Sequence, residues 1–313
     1  MTPILSRRDF LAATAAASTL AMTAAPASAA EKKKTEKKSA AALPRKNYKI
    51  IAFSKPFADR SPDETAEIVA EVGWDGIECA VRAKSTHIQP ERVEEDLPKM
   101  VEALKKRGKE VTIVTTDITE LNPLGEKVLR TVARLGIKKY RLGFTKYVKD
   151  KHPSQVVAEV GAALKDIAAL NKQLGLQSGW QNHSGVDYVG ASIWDLWMMM
   201  KNLDPKNMGV CYDIGHATVE GGLSWPTQAR LMEQNLVAVF CKDFFWEKSE
   251  KGWAPHWVNF GTGSVQKSFF DWLRTTNFNG PLSQHHEYKE LGTGTEMIGN
   301  FKKDLAALKA MLA

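Results

Sequence analysis

From residue 47 onward, short apolar runs alternate with amphipathic segments. The runs Lys49–Ser54, Gly76–Val81, Val111–Thr116, Lys139–Gly143, Leu176–Gln181, Met208–Asp213, Val237–Lys242 and Pro281–Glu287 have the length and hydrophobicity of buried strands. Between them apolar residues recur at helical spacing. Leu97, Val101 and Leu104 do so before Gly108, and Val156, Val160, Leu164, Ile167 and Leu170 before Gly175. Ser61-Pro62-Asp63-Glu64 reads as a helix start, with a Ser cap, Pro in the first turn and acids at the positive end of the dipole. Met297–Leu312 reads as a closing helix. Eight strand–helix units within residues 47–313 match the size of an α/β fold of the (β/α)8 TIM-barrel type. The alternative, a doubly wound open sheet, calls for a Gly-rich phosphate loop after the first strand, where FSKPFADRSP stands.

The N-terminal segment is built differently. Ser6-Arg7-Arg8-Asp9-Phe10-Leu11 precedes a small-residue run ending at Ala25, and Ala27-Ser28-Ala29 or Ser28-Ala29-Ala30 then offers a cleavage site. The run falls short of the ~20 strongly apolar residues of a spanning helix. This segment resembles a twin-arginine (Tat) signal. That implies a bacterial protein handed to the Tat export machinery, delivered to the periplasm and not inserted stably in the membrane after cleavage. Residues 31–46, EKKKTEKKSAAALPRK, have almost no large apolar residue and read as a disordered, solvated tether. The organisation expected is therefore a signal over 1–30, a charged linker over 31–46 and one barrel over 47–313.

Charge sharpens this division. The formal net charge is +7, but residues 1–46 hold nine Lys/Arg against three acids. The barrel keeps 34 of the 43 basic and 33 of the 36 acidic side chains, a net of +1. A nucleic-acid binder carries its basic footprint on the folded domain, so nucleic acid is not the expected partner. Cys79, Cys211 and Cys241 lie inside apolar runs without framework spacing and read as buried thiols. Cys211 with Cys241, on consecutive strands, is the one pair worth testing as a disulfide.

In a barrel the chemistry gathers at the C-terminal strand ends, and the polar residues of this chain cluster there. Strand two ends near Glu78, strand five at Gln181-Asn182-His183, strand six at Asp213 with His216 beyond, strand seven at Lys242-Asp243, and strand eight at His285-His286-Glu287. Alternation places Gln181 with His183, Phe240 with Lys242, and His285 with Glu287. With Asp213 inward, one mouth holds His183, Asp213, His216, Lys242, His285 and Glu287. Such a set suits a divalent ion with mixed N/O ligands and supplies a base for removing a proton next to a carbonyl. Asp213, His285, Glu287 and His183 are the candidate ligands. Glu287, His183 and His216 are the candidate proton-transfer groups. Asp213 also suits a cap for the following turn. Lys242 suits a developing oxyanion, a substrate oxygen or phosphate, or a salt bridge to Asp213 or Glu287.

Glu78 reads as orienting the site and, with Gln181, as a substrate contact. Trp246, Trp253 and Trp257, in or near the long loop after strand seven, suit a wall for a sugar ring or ordinary loop packing; Trp246 and Trp257 are taken as substrate contacts. His286 should face the outer helices and His256 the loop surface. Trp194, Trp197 and Met198–Met200 read as one helix face packed into the core.

GWDGIE (Gly73–Glu78), EEDLPKMVEALKKRG (Glu94–Gly108), DIGHA (Asp213–Ala217), the Lys242-Asp243 pair and the final HHEY resemble the xylose isomerase-like barrels. This is the sugar phosphate isomerase/epimerase superfamily, which also includes inosose dehydratases and endonuclease IV. The resemblance spans about residues 47–310. It implies one divalent metal ion (Mn, Zn, Co or Mg) held by Glu, Asp, His and Glu at the ends of strands five to eight, the two Glu moving protons. Asp213 fits the aspartate and His216 the histidine that supports it. The strand-five glutamate position holds Gln181, and the strand-seven histidine position holds Phe240. The strand-eight glutamate aligns with His285 or Glu287. A loop resembling PLGEG reads Asn259-Phe260-Gly261-Thr262-Gly263, without its acid.

These departures weigh against a two-glutamate shuttle and point to a remodelled site of His183, Asp213, His285 and Glu287. The expectation is an exported isomerase or epimerase acting by metal-assisted proton transfer on a small-molecule carbohydrate, a free or keto sugar. A lyase or hydrolase on keto-glycosides shares that chemistry. A barrel that binds carbohydrate without catalysis explains Gln181 and Phe240 directly. An endonuclease IV-like reading lacks the ligand count.

Overall fold

The computed structural model describes residues 46–83 and 87–313. The expected signal and all of the linker except Lys46 lie outside the described residues. The chain runs through β1 (Ile50–Phe53), α1 (Pro62–Val72), β2 (Gly76–Val81), α2 (Val93–Lys106), β3 (Glu110–Thr116), α3 (Pro123–Arg134), β4 (Lys139–Arg141) and α4 (Pro153–Leu174). It continues with β5 (Gln177–Gln181), α5 (Ile193–Met200), β6 (Met208–Asp213), α6 (Ile214–Gly221), α7 (Trp225–Leu231) and β7 (Leu236–Cys241). A hairpin follows, β8 (Asp243–Ser249) and β9 (Gly252–Val258), then α8 (Lys267–Thr275), β10 (Leu282–Gln284) and α9 (Gly294–Leu312). Strands β1 to β7 and β10 form a closed parallel barrel, β10 returning to β1 through the register Ile50–Leu282. Closure rules out the open-sheet alternative.

Local chemistry sets the boundaries. Ser61 caps α1, accepting from the Glu64 N–H while the Glu64 carboxylate accepts from the Ser61 N–H, and Pro62 fits the first turn. Gly73 ends that helix at φ +93°, a left-handed conformation that other residues resist. β4 and β10 stop at Arg141 and Gln284, short of the expected Gly143 and Glu287. The three residues after β10, His285–Glu287, are thus released from the ladder at the barrel mouth, although the His285 N–H still reaches the Cys241 carbonyl at 3.0 Å. The segment after strand seven, expected as a loop, is instead the β8–β9 hairpin, with Phe244 opposite Trp257 and Trp246 opposite Pro255.

The apolar residues fall into two groups. Ile51, Ile113, Cys211, Ala238 and Phe240 plug the barrel. A larger shell, including Cys79 and Cys241, lies between strands and helices. Cys211 and Cys241 therefore sit on opposite sides of the barrel wall. The pair singled out as a possible disulfide is overturned, and all three thiols are free and buried. Sequence also overstated the core face of α5. Met199 and Met200 are buried, but Trp194 and Met198 are each 48% exposed, because the short helix presents only part of its apolar surface to the barrel.

This packing makes a direct prediction. The native protein should react slowly with a thiol reagent, and the chain unfolded without reductant should release three thiols. A value of one thiol would restore the Cys211–Cys241 bond.

Candidate active site

Above the apolar plug, polar side chains from neighbouring strands form a linked series. Glu78 on β2 is fully buried and accepts from Thr115 on β3, from Ser283 Oγ at 2.7 Å and from His285 Nε2 at 2.9 Å. Arg141 on β4 lies 3.8 Å from Glu78 and donates to Gln181 Oε1 at 2.7 Å. Because the guanidinium only donates, the Gln181 oxygen must face it, and its amide donates to Asp213 Oδ2 at 2.8 Å. Asp213 caps α6, its Oδ1 accepting the His216 N–H at 3.1 Å. Lys242 Nζ lies 3.7 Å from Asp213 Oδ2 and 3.0 Å from Glu287 Oε2. The other Glu287 oxygen accepts from Lys55 at 2.5 Å.

Burial makes these contacts consequential, since an ionised group removed from water needs a partner. Burial pushes the Glu287 carboxyl up, but Lys242, His285 and Lys55 overcome this and hold it well below the usual carboxylate range. For Lys242 burial acts downward, and Glu287 with Asp213 raises it above the ordinary lysine value. For Asp213 burial wins, and its carboxyl is raised despite Lys242. Glu78 is lowered and His285 raised, in each case because the neighbouring opposite charge outweighs burial.

A cleft of about 480 Å³ opens over this series, lined by Lys55, His183, Ser184, His216, Lys242, Trp257 and Glu287 among others. His183 Nδ1 lies 2.8 Å from the Ser184 carbonyl, which only accepts, so the proton sits on Nδ1 and Nε2 keeps its lone pair. Burial and the Lys242 charge depress His183 to about 4, leaving a neutral imidazole at neutral pH. Ser184 Oγ is 2.7 Å from His216 Nδ1, while His216 Nε2 is buried without a hydrogen-bond partner, 3.7 Å from Asp213. Lys242 Nζ sits 4.7 Å over the Trp257 ring. A larger hollow, about 620 Å³, lies at the N-terminal strand ends. Its rim is lysine-rich and its Glu110 is paired with Lys49.

The structure thus gathers His183, His216, Lys242 and Glu287 on one cleft, with Asp213, Gln181, His285 and Glu78 beneath it. Trp257 lines the cleft, whereas Trp246 stands further out on the hairpin, 46% exposed. His286 packs against Trp74 and Phe301 in the outer shell, and His256 on β9 meets Glu247 and Glu290. Sequence reasoning missed Arg141, Thr115, Ser184, Ser283 and Lys55. Arg141 carried a usable signal, a charge ending an apolar run; the small hydroxyls carried none.

The set does not fit a metal ion. Among the described residues no three His, Cys, Asp or Glu side chains converge as ligands. Of the expected ligands Asp213, His285, Glu287 and His183, the two carboxylates are already engaged, while His285 Nδ1, buried without a hydrogen-bond partner, and His183 Nε2 do not converge with a third ligand on one point. Both Asp213 oxygens accept from protein donors, and both Glu287 oxygens face lysine ammonium groups. Phe240, buried and 4.4 Å from the His285 ring, offers no lone pair.

Comparison with known proteins agrees with the barrel. Residues 66–311 match the model of the xylose isomerase-like TIM barrel family, and the chain belongs to that family. Among solved structures, a 3-keto-D-glucoside 4-epimerase from E. coli is 15% identical, covering 84% of this chain and 100% of that one with a TM-score of 0.64. A D-allulose 3-epimerase from Methylomonas sp., in complex with D-allulose, is 15% identical over 86% of this chain and 99% of that one, TM-score 0.64. A family protein from Mycobacterium smegmatis in complex with magnesium is 13% identical over 85% and 98%, TM-score 0.61. No curated protein sequence matches the chain.

The Glu78–His285 pair predicts a pH-dependent stability. A lowered Glu78 contributes fully above its ordinary 4.5, and its share is lost as pH falls through the folded value. A raised His285 contributes fully below its ordinary 6.5, and its share is lost as pH rises through the folded value. Glu78→Gln should therefore cost most between these two pH values, about 3 kcal/mol, and less on either side. Denaturant melts of both proteins across pH 3 to 9 (a range of roughly the reach of these groups) check this; a cost independent of pH would remove the ion pair.

Proposed function

We propose that the protein is a carbohydrate-active enzyme of the isomerase or epimerase type, moving a proton next to the carbonyl of a free or keto sugar. The observation that carries this reading is the cleft itself: a neutral imidazole with a free Nε2, the Glu287 carboxylate and two ammonium groups line it together with one tryptophan ring. Either His183 Nε2 or Glu287 takes the proton from carbon. The C–H electron pair becomes the C=C bond of an enediolate, and the carbonyl pair moves onto oxygen, where Lys242 stabilises the charge. Delivery of a proton to the opposite face by the other of these two groups inverts the centre; delivery to the neighbouring carbon, as the hydroxyl proton there passes to the first oxygen, moves the carbonyl. His183 is the better base of the two, because Glu287 is stabilised as an anion by two lysines.

The hairpin favours a substrate longer than one ring. Trp257, Pro255 and Trp253 alternate along one face of β9, and Trp246 pairs with Pro255. Trp257 and Pro255 line the cleft, while Trp246 and Trp253 continue outward, the latter 65% exposed. A keto-glycoside, its second ring against this wall, suits that shape, and removal of the same proton begins a lyase reaction. The epimerase relatives named above support the carbohydrate reading.

Incubation with keto sugars and keto-glycosides in D2O should place deuterium at the carbon next to the carbonyl. His183→Ala should slow this by about 100-fold or more, and Trp257→Ala should weaken sugar binding. Tight sugar binding without any exchange in the wild type would move the reading to a carbohydrate-binding barrel without catalysis.

Residues 1–30 are proposed to direct Tat export to the periplasm and to be removed there. Replacing Arg7 and Arg8 by Lys should leave the full-length chain in the cytoplasm. Unchanged export of that variant would refute the signal.

A further inference from the structure

We infer that Lys242 is a resident cation standing where a divalent ion would otherwise sit, so that the site works with a fixed ammonium in place of a metal. Glu287 lines the cleft and Asp213 lies beneath it, and Lys242 Nζ lies between them, 3.7 Å from Asp213 and 3.0 Å from Glu287. Its side chain is 5% exposed, so it is held in the site and does not reach out from solvent. Three further features agree with a cation held by the fold. The Trp257 ring covers the ammonium at 4.7 Å, an arrangement that suits an organic cation. Gln181 turns a donor toward Asp213, which supports that carboxylate while supplying no negative charge to an ion. Phe240, two residues before Lys242, packs on the His285 ring at 4.4 Å and offers no ligand atom.

The local charges leave no negative excess for an added ion to neutralise. Asp213, Glu287 and Glu78 carry the negative charges and Lys242, Lys55 and Arg141 match them one for one, with His285 beside Glu78 adding a further positive charge when protonated. A divalent ion placed here would meet the repulsion of Lys242 and would have to displace donors from both carboxylates. The polarising role of this cation rests on the proton-transfer reading above; its place in the site does not, and metal uptake can be measured with no substrate present.

The test uses the full chain purified without chelator, titrated with Mn2+ and followed by electron paramagnetic resonance and elemental analysis. The wild type should show no saturable site below roughly 1 mM. The triple variant Gln181→Glu, Phe240→His, Lys242→Met should gain one Mn2+ site at least about 100-fold tighter. Should the triple variant fail to fold, Lys242→Ala supplies the second measurement: it should bind Mn2+ more tightly than the wild type, through the freed Asp213 and Glu287. A wild-type chain that takes up about one ion at micromolar affinity, with Asp213→Asn abolishing it, would overturn the inference. So would a folded triple variant or Lys242→Ala protein with no gain in uptake. A sugar that fails to exchange deuterium in D2O while these metal results hold would defeat the proton-transfer reading alone.

Discussion

Ionised groups below the surface of a closed barrel must neutralise one another, and the mouth of this barrel is organised by that requirement. Glu78 is fully buried. It is held by a hydroxyl from β3, a hydroxyl from β10, the His285 ring and the Arg141 guanidinium. From Arg141 the series passes through Gln181 to Asp213, then to Lys242, Glu287 and Lys55. Each link comes from a different strand end, so the arrangement depends on closure of the whole barrel. Closure, in turn, supplies the apolar plug of Ile51, Ile113, Cys211, Ala238 and Phe240 that keeps water from the underside. The site and the fold therefore share one constraint.

That constraint also fixes what each group can do. Two lysines bind Glu287 and make it a weak base, while burial, with the Lys242 charge adding to it, keeps His183 neutral. A proton acceptor and a stabiliser of negative charge thus arise from one set of charges. His216 is positioned through Asp213 on one side and Ser184 on the other, and its unpartnered Nε2 is a donor or acceptor left for something entering the cleft.

Much of this was legible in the sequence. Eight apolar runs at βα spacing gave the barrel, because parallel strands buried on both faces read as continuous hydrophobic stretches. Polar residues ending those runs marked Asp213, His183, Lys242 and Glu287, since such groups are costly there unless paired or used. Three things were not legible. Cys211 and Cys241 fall on opposite faces, because consecutive strands need not share register and β6 and β7 carry an irregularity between Val210 and Cys211. The hairpin was hidden because its aromatic residues resemble those of a packed loop. The pairing of Lys242 with both carboxylates was one of several open options, since parity tells which way a side chain points and not which neighbour it meets.

An ammonium is a weaker polariser than a divalent ion: it carries one charge and offers directional hydrogen bonds. Its effect on a carbonyl oxygen depends on how far water is excluded, because the same charge acts more strongly as the local dielectric falls. Here Phe240 lies beneath the site, Trp257 covers the lysine, and the hairpin stands beside the opening. These apolar surfaces would be of little use to a site that relied on solvent-exposed coordination. Around a fixed ammonium they raise the electrostatic return of a single charge, and they leave an apolar wall that matches the face of a sugar ring, the substrate proposed above.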